Sequence, residues 1–387
     1  MTNEVVNVPE LRFTGFEDEW KKKKLDDVAN YRRGSFPQPY GNKEWYDEKN
    51  GEPFVQVVDV DKNMKLHDQT KQKISDLAKP KSVKGFKGDI VVTLQGSIGR
   101  VALLHYDAYI DRTLLLIDSF KIEMNKNYFK YVLYLLFLKE KERAPGGTIK
   151  TITKKVLSNF KIDIPNVGEQ EKIGEFFSKL DRQIELEEQK LEKLKEQKKG
   201  YMQKIFSQEL RFKDENGNDY PEWEIKKLMQ IAKVKTGSKN VQDNIQDGKF
   251  KFFDRSVEVK YLNTFDFDET AIIYPGEGSK FLPRYFSGKY SLHQRAYSIY
   301  DININNNYLY YYLSLQNNHF LKYAVGSTVK SLRMSGFDKL KVMVPKNSEQ
   351  EKIGDFFNEL DELIEKQSSK IGVLKQRKKG FLQKMFV

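Results

Sequence analysis

Short glycine-containing segments flanked by hydrogen-bond donors are the residues of this sequence best suited to chemistry, and that chemistry is contact with phosphates and base edges. The first half of the chain carries Arg32-Arg33-Gly34-Ser35, Gln95-Gly96-Ser97-Ile98-Gly99-Arg100 and Gly146-Gly147-Thr148-Ile149-Lys150. The second half carries Lys235-Thr236-Gly237-Ser238-Lys239, Gly278-Ser279-Lys280 and Gly326-Ser327-Thr328-Val329-Lys330. Glycine allows close backbone approach, hydroxyls and amines donate to phosphate oxygens, and Arg and Gln match guanine and adenine edges bidentately. The candidate contact residues are Arg32, Arg33, Ser35, Gln95, Ser97, Arg100, Thr148 and Lys150, then Lys235, Ser238, Lys239, Ser279, Lys280, Thr328 and Lys330. Any one loop taken singly is explained by ordinary turn chemistry. The Thr-x-Lys loop recurs in both halves just before an expected helix, and it reads as a phosphate contact.

Signatures of catalysis are missing from the sequence. It has no cysteine, so thiol nucleophiles, disulfides and thiolate zinc sites are excluded. His67, His105, His293 and His319 are scattered, and no metal is expected. Gly276-Glu277-Gly278-Ser279-Lys280 has the wrong spacing for a phosphate loop. No glycine-rich dinucleotide fingerprint follows a strand. The Asn/Asp-Pro-Pro-aromatic tetrapeptide of an adenine methyltransferase is excluded because no two prolines are adjacent. Glu258-Val259-Lys260 has the E-x-K form of a nuclease piece, but such triplets arise by chance where 32% of residues are charged. The longest apolar run, Tyr131 to Leu138, falls far short of the ~20 residues of a membrane-spanning helix. MTNEVVNVPE has no signal-peptide pattern. The expectation is a soluble cytoplasmic chain that recognises rather than catalyses and binds no cofactor.

The elements that would position these loops are duplicated. EQEKIGEFF at 169–177 recurs as EQEKIGDFF at 349–357, and KKGYMQKIF at 198–206 as KKGFLQKMF at 378–386, both displaced by 180 residues. Nearer the start of each half the displacement is 203 residues, with Trp20, Leu25, Ala29, Gly34 and Ser35 matching Trp223, Leu228, Ala232, Gly237 and Ser238. Residues 1–165 and 208–345 mix β-branched and aromatic runs with turn residues, each with one helix, at Tyr128–Lys141 and Tyr308–Leu321, and both read as α+β. Segments 166–207 and 346–387 read as long helices. With Glu187 between Ile184 and Leu191, the residues Ile173, Phe177, Leu180, Ile184, Leu191 and Leu194 step by fours and threes, and Ile353, Phe357, Leu360, Ile364, Ile371 and Leu374, with Gln367, repeat that spacing in a coiled-coil seam. Both seams carry polar residues at two matched positions, Glu187/Gln367 and Lys198/Lys378, where register is fixed at some loss of stability. Two separate surface helices, each packed on its own domain, are the alternative.

Charge separates binding surface from scaffold. Segment 166–207 is neutral and 346–387 carries +2, whereas 1–165 and 208–345 carry +6 and +4 of the total +12. If the partner is nucleic acid, the globular segments hold it.

The combination of LRF…W…L..VA….GS at the start of each half, GT.K/ST.K at its end, and (I/V)P…EQEKIG(E/D)FF…LD opening each long helix resembles the specificity subunits of type I restriction-modification enzymes over essentially the whole chain. The resemblance implies two variable target-recognition domains, each reading one half of an interrupted, asymmetric site in double-stranded DNA. It implies two antiparallel helices acting as a ruler, and two docked modification subunits that methylate adenines with S-adenosylmethionine. Restriction subunits using ATP and Mg2+ would translocate and cleave. The duplication by itself calls for a pseudo-twofold arrangement with diverged halves. A fused restriction-modification fragment and a coiled-coil scaffold that binds no DNA are the competing readings. On the ruler reading, inserting four residues after Ser207, a rise of ~6 Å, should leave both half-sites intact and change only the spacer, by one or two base pairs. Methylome sequencing checks this, and altered half-site bases with a constant spacer would exclude a ruler.

Overall fold

The computed structural model describes residues 7–143, 152, 154–256 and 258–386. The chain forms two compact units, Met1–Glu188 with Lys370–Val387, and Gln189–Ser369. Two long helices, a central one over Val167–Phe206 and a distal one over Asn347–Lys384, each contribute their first part to one unit and their last part to the other. The architecture is α+β with the expected duplication.

In the first unit, strands Ala29–Arg33, Leu114–Phe120, Ile90–Thr93 and Val101–Leu103 form one sheet in that order, and Gln72–Ile74, Glu52–Val55, Ala108–Ile110 and Val83–Gly85 form another. Helix Lys126–Arg143 buries Tyr128, Phe129, Tyr131 and Leu133 in a core shared with Leu25, Val28, Ile90 and Val92. Lys21–Lys24 pairs antiparallel with Lys161–Ile164, so the two ends of the globular segment meet where the central helix begins.

The second unit holds one six-stranded sheet, ordered Lys233–Thr236, Tyr297–Tyr300, Phe267–Tyr274, Arg284–Leu292, Phe250–Phe253 and Lys260–Leu262. Glu224–Lys227 pairs with Lys341–Val344 as the counterpart closure. The single helix expected over Tyr308–Leu321 is two helices, Asn306–Ser314 and Asn317–Tyr323. At the break the Leu315 and Gln316 amides donate to Tyr312 and Leu313 carbonyls, three-residue steps that tighten the turn. Asn317 Oδ1 accepts from the Phe281 amide at 2.8 Å, and the redirected helix buries Phe320 against Tyr274 and Phe337.

The repeated motif opening each long helix fastens domain to helix. Glu169, fully buried, accepts from Arg12 Nε at 2.7 Å and Nη2 at 2.8 Å, and Glu349, also fully buried, accepts from Arg211 at 3.1 and 2.8 Å. The Arg of LRF therefore answers the Glu of EQEKIG. The following glutamine, Gln170 or Gln350, accepts from the Asn125 or Asn305 amide at 2.9 Å, just before the domain helix. Its amide nitrogen donates to the carbonyl of Pro165 or Pro345. Gly174 and Gly354 let the helices touch: a Cβ on Gly174 would lie 2.8 Å from the Tyr128 amide, and one on Gly354 3.2 Å from the Tyr308 amide.

The end of the other long helix closes each unit. In the first, Phe386 stacks on Tyr128 at 5.6 Å and meets Phe177 and Trp20; in the second, Phe206 stacks on Phe357 at 5.9 Å and meets Tyr308 and Trp223. The polar seam lysines reach off-seam carboxylates. Lys378 pairs with Asp181, which also accepts from Tyr131 Oη at 2.6 Å, and Lys198 pairs with Asp361, which accepts from Tyr311 Oη at 2.9 Å. Within each unit the helices therefore pack antiparallel in one register. Burial, followed by the nearby carboxylate, raises the Tyr131 and Tyr311 phenols well above the ordinary tyrosine range, so both remain donors. Asp181→Asn should destabilise the first unit by about 1–3 kcal/mol, because Lys378 loses its carboxylate charge in a half-buried site. A double-mutant cycle of Asp181→Asn with Lys378→Met, read by chemical denaturation, should give a coupling of about 1–2 kcal/mol; zero coupling would remove the pair's role in register.

Candidate nucleic-acid interface

In the first unit two of the three loops of interest converge on one end of strand Leu114–Phe120. The Gly34 amide donates to the Leu114 carbonyl at 3.0 Å and the Leu94 amide to the Thr113 carbonyl at 2.8 Å. Gly34–Ser35 and the segment from Gln95 thus both flank the turn Asp111–Leu114. Glycine is required at 34, where a Cβ would lie 2.2 Å from the Asp111 carbonyl oxygen. Arg33 is exposed; Arg32 is exposed and pairs with Asp118 at 3.3 Å; Ser35 donates to the Lys81 carbonyl at 3.0 Å. Gln95 and Ser97 are exposed, while Arg100 donates to the Val60 carbonyl at 2.9 Å. Lys62, Ser97, Arg100, Tyr134 and Lys141 line a cleft of about 550 Å3. Thr148 and Lys150 lie outside the described residues.

The turn itself is organised by buried Asp111, which accepts from the Thr113 amide at 2.9 Å and from Tyr40 Oη at 3.2 Å. Gln56 Nε2 donates to the same Tyr40 oxygen at 2.8 Å. Burial, then the charge of Asp111, pushes the Tyr40 phenol up to about 12. Exposed Arg112 stands over the Tyr40 ring at 5.1 Å.

The second unit builds an equivalent turn from other side chains. The Ala296 amide donates to the His293 carbonyl at 2.9 Å, as Leu114 does to Asp111 at 3.0 Å. A Cβ on Gly237 would lie 1.7 Å from the Leu292 carbonyl oxygen, and one on Gly276 1.2 Å from that of Arg295. Lys239 pairs with Asp266 at 3.3 Å, beside exposed Ser238. Lys235 is half-buried, paired with Glu269 and held 3.8 Å from the ring centres of Phe267 and Tyr300, so its ammonium is committed inside the fold. Gly278 pairs with Lys330 across a short antiparallel bridge, and the Leu332 amide donates to the Gly276 carbonyl at 2.8 Å. That bridge draws half-buried Lys330 and exposed Thr328, Ser279 and Lys280 into one region. Glu277, 8% exposed, accepts from Arg255 Nη1 at 2.9 Å and also from Arg295. The Arg295 and then the Arg255 hydrogen bonds hold its carboxyl below the ordinary range.

Arg112, Arg255 and Arg295 adjoin no glycine, Glu277 lies between Gly276 and Gly278 but is an acceptor, and Tyr40, beside Gly41, lies outside the candidate loops. The available signal was an arginine inside each polar turn between strand-like runs, IDRTL at 110–114 and HQRAY at 293–297. Among the described residues no group of acidic or histidine side chains could hold a metal ion, and no helix is long and apolar enough to cross a membrane.

The family model described as the type I restriction modification DNA specificity domain matches residues 17–196 and 220–375. The chain belongs to this family. Over 162 residues it is 28% identical to the EcoDI type I restriction enzyme specificity subunit of Escherichia coli, covering 42% of this chain and 36% of that protein. Over 247 residues it is 23% identical to the MjaVIII specificity subunit of Methanocaldococcus jannaschii, covering 60% of this chain and 53% of that protein. The chain thus spans about a third to a half of these curated relatives. The S subunit of a type I restriction-modification system from M. genitalium shares its fold, with a TM-score of 0.64 at 17% identity over 98% of this chain and 99% of that one.

The glycines supply a test of the turn geometry in this specificity-family scaffold. Gly276→Ala should destabilise the second unit by about 1–3 kcal/mol, since the methyl overlaps the Arg295 carbonyl. Gly200→Ala, in a helix with open space around it, should instead stabilise by about 0.5–1 kcal/mol. Equal effects of the two substitutions in denaturation would contradict the close approach at Gly276.

Proposed function

We propose that this chain is the non-catalytic DNA-sequence recognition component of a type I restriction-modification complex, each unit reading one half of an interrupted, asymmetric site. The observation that carries the reading is the turn shared by both units. One scaffold holds Asp111-Arg112-Thr113 in the first and His293-Gln294-Arg295 in the second. The same support with different donors suits two unlike half-sites. Residues 1–165 and 208–345 act as the recognition domains, and 166–207 and 346–387 as the conserved helices.

Within this reading, Arg33, Gln95, Ser97, Arg112, Ser238, Ser279, Lys280, Thr328 and Lys330 are the contact candidates that the geometry favours, through exposure or through assembly around the turn and bridge. Two modification subunits would dock on the chain and methylate adenines with S-adenosylmethionine, and restriction subunits would use ATP and Mg2+. This chain's residues bind and orient DNA; bond-making belongs to the partners. A methylation assay of the chain alone discriminates a fused enzyme, which would turn over, from a recognition component, which would not.

Replacing 1–165 with the first domain of another family member should change one half-site and leave the other intact in the methylome. Lys330→Ala, and likewise Lys150→Ala, should weaken DNA binding by the assembled complex across all sequences, lowering the salt slope by about 1 per residue. A changed methylation motif with an unchanged slope would show that these lysines read bases.

A further inference from the structure

We infer that Arg255 and Arg295 form a guanine-reading site in the second unit, with Glu277 as the buried anchor that orients them; this rests on the DNA-recognition reading above. Their side chains are 61% and 66% exposed, yet both are held by one carboxylate that is 8% exposed. Each guanidinium uses Nη1 on a different oxygen, Arg255 on Oε2 and Arg295 on Oε1. Two exposed arginines without such an anchor would sample many rotamers and lose that freedom on binding; here it is given up on folding.

The anchor leaves most of each donor fork open. A guanidinium has five N–H donors, and one of them on Glu277 leaves a planar pair of donors to face outward. Guanine presents two acceptors, O6 and N7, on its major-groove edge, whereas adenine presents one acceptor and one donor. An all-donor fork fits the first edge and opposes the second. The carboxylate also reduces the cluster's net charge from +2 to +1, which weakens non-directional attraction to phosphate relative to directional pairing with a base. The backbone under the cluster is fixed: the Arg295 carbonyl abuts Gly276, and Gly278 is bridged to Lys330.

Arg-to-Lys substitution separates the alternatives, because lysine keeps the charge and loses the fork. The chain carrying Arg255→Lys and Arg295→Lys is expressed with its modification subunits, and the methylome is compared with wild type. Discrimination at a G of one half-site should fall by about tenfold or more, making that position degenerate, with the other half-site unchanged. Glu277→Gln should relax the same position. Thermal melting of the purified complex accompanies the methylomes. An unchanged motif with Arg255→Lys and Arg295→Lys, together with a salt slope of DNA binding by the assembled complex lowered by about 1 per residue for Arg255→Ala and Arg295→Ala, would assign the arginines to phosphate. An unchanged motif with lowered melting would make them a staple for the strand at Glu277. Relaxation at an A·T position, or a wild-type half-site of A·T pairs alone opposite the second unit, would also overturn the inference while leaving the recognition reading standing. Absence of any interrupted motif in wild type would overturn both.

Discussion

A carboxylate cut off from water must be matched by a cation that the fold carries to it, and each unit is built around one such match. Glu169 and Glu349 are fully buried at the start of the long helices, and Arg12 and Arg211 reach them bidentately from segments far away in sequence. Removing either arginine would strand a buried charge, a loss of about 3–5 kcal/mol. The match fixes where the first residues of each globular segment lie on the helix. The short antiparallel pairing beside it, and the glutamine that holds the domain helix, then follow.

The second constraint is the close of each unit by the end of the other long helix. Lys378 on Asp181 and Lys198 on Asp361 admit one register of the antiparallel pair, and the terminal phenylalanines Phe386 and Phe206 complete the aromatic clusters. Lys130, mostly buried beside Asp181 and Tyr131, has its ammonium lowered by that burial, and the second unit has Tyr310 at the matching position. The scaffold is therefore repeated in its contacts while its surroundings have diverged.

Much of this scaffold was legible in the sequence. Heptad spacing and the 180-residue displacement mark both long helices, because burial along a helix must recur every three or four residues. The polar seam positions were visible, but their partners were not, since Asp181 and Asp361 lie off the seam. The pairing of Arg12 with Glu169 joins residues 157 apart, and nothing local announces it. The break at Leu315–Gln316 escaped because Leu313 and Phe320, two helical turns apart, keep apolar spacing across the polar residues 316–319, and the turn is set by Phe320 and by Asn317 on Phe281. At the candidate site, the glycine-adjacent donors at 34–35 and 95–97 lie beside one turn, and those at 278–280 and 328–330 beside one bridge. The cluster of Glu277 with Arg255 and Arg295 is assembled only by the fold, as is the placing of the Lys235 ammonium between two rings.

On the proposed reading, constant junctions that carry two differently furnished turns would let one scaffold read two unlike sequences. The most direct test is to map methylated adenines in genomic DNA from cells that carry this chain with its modification subunits and from cells lacking the chain. The account predicts a single chain-dependent motif of two unlike parts separated by an unspecified spacer. A continuous motif, or one whose two parts are the same sequence on opposite strands, would contradict it.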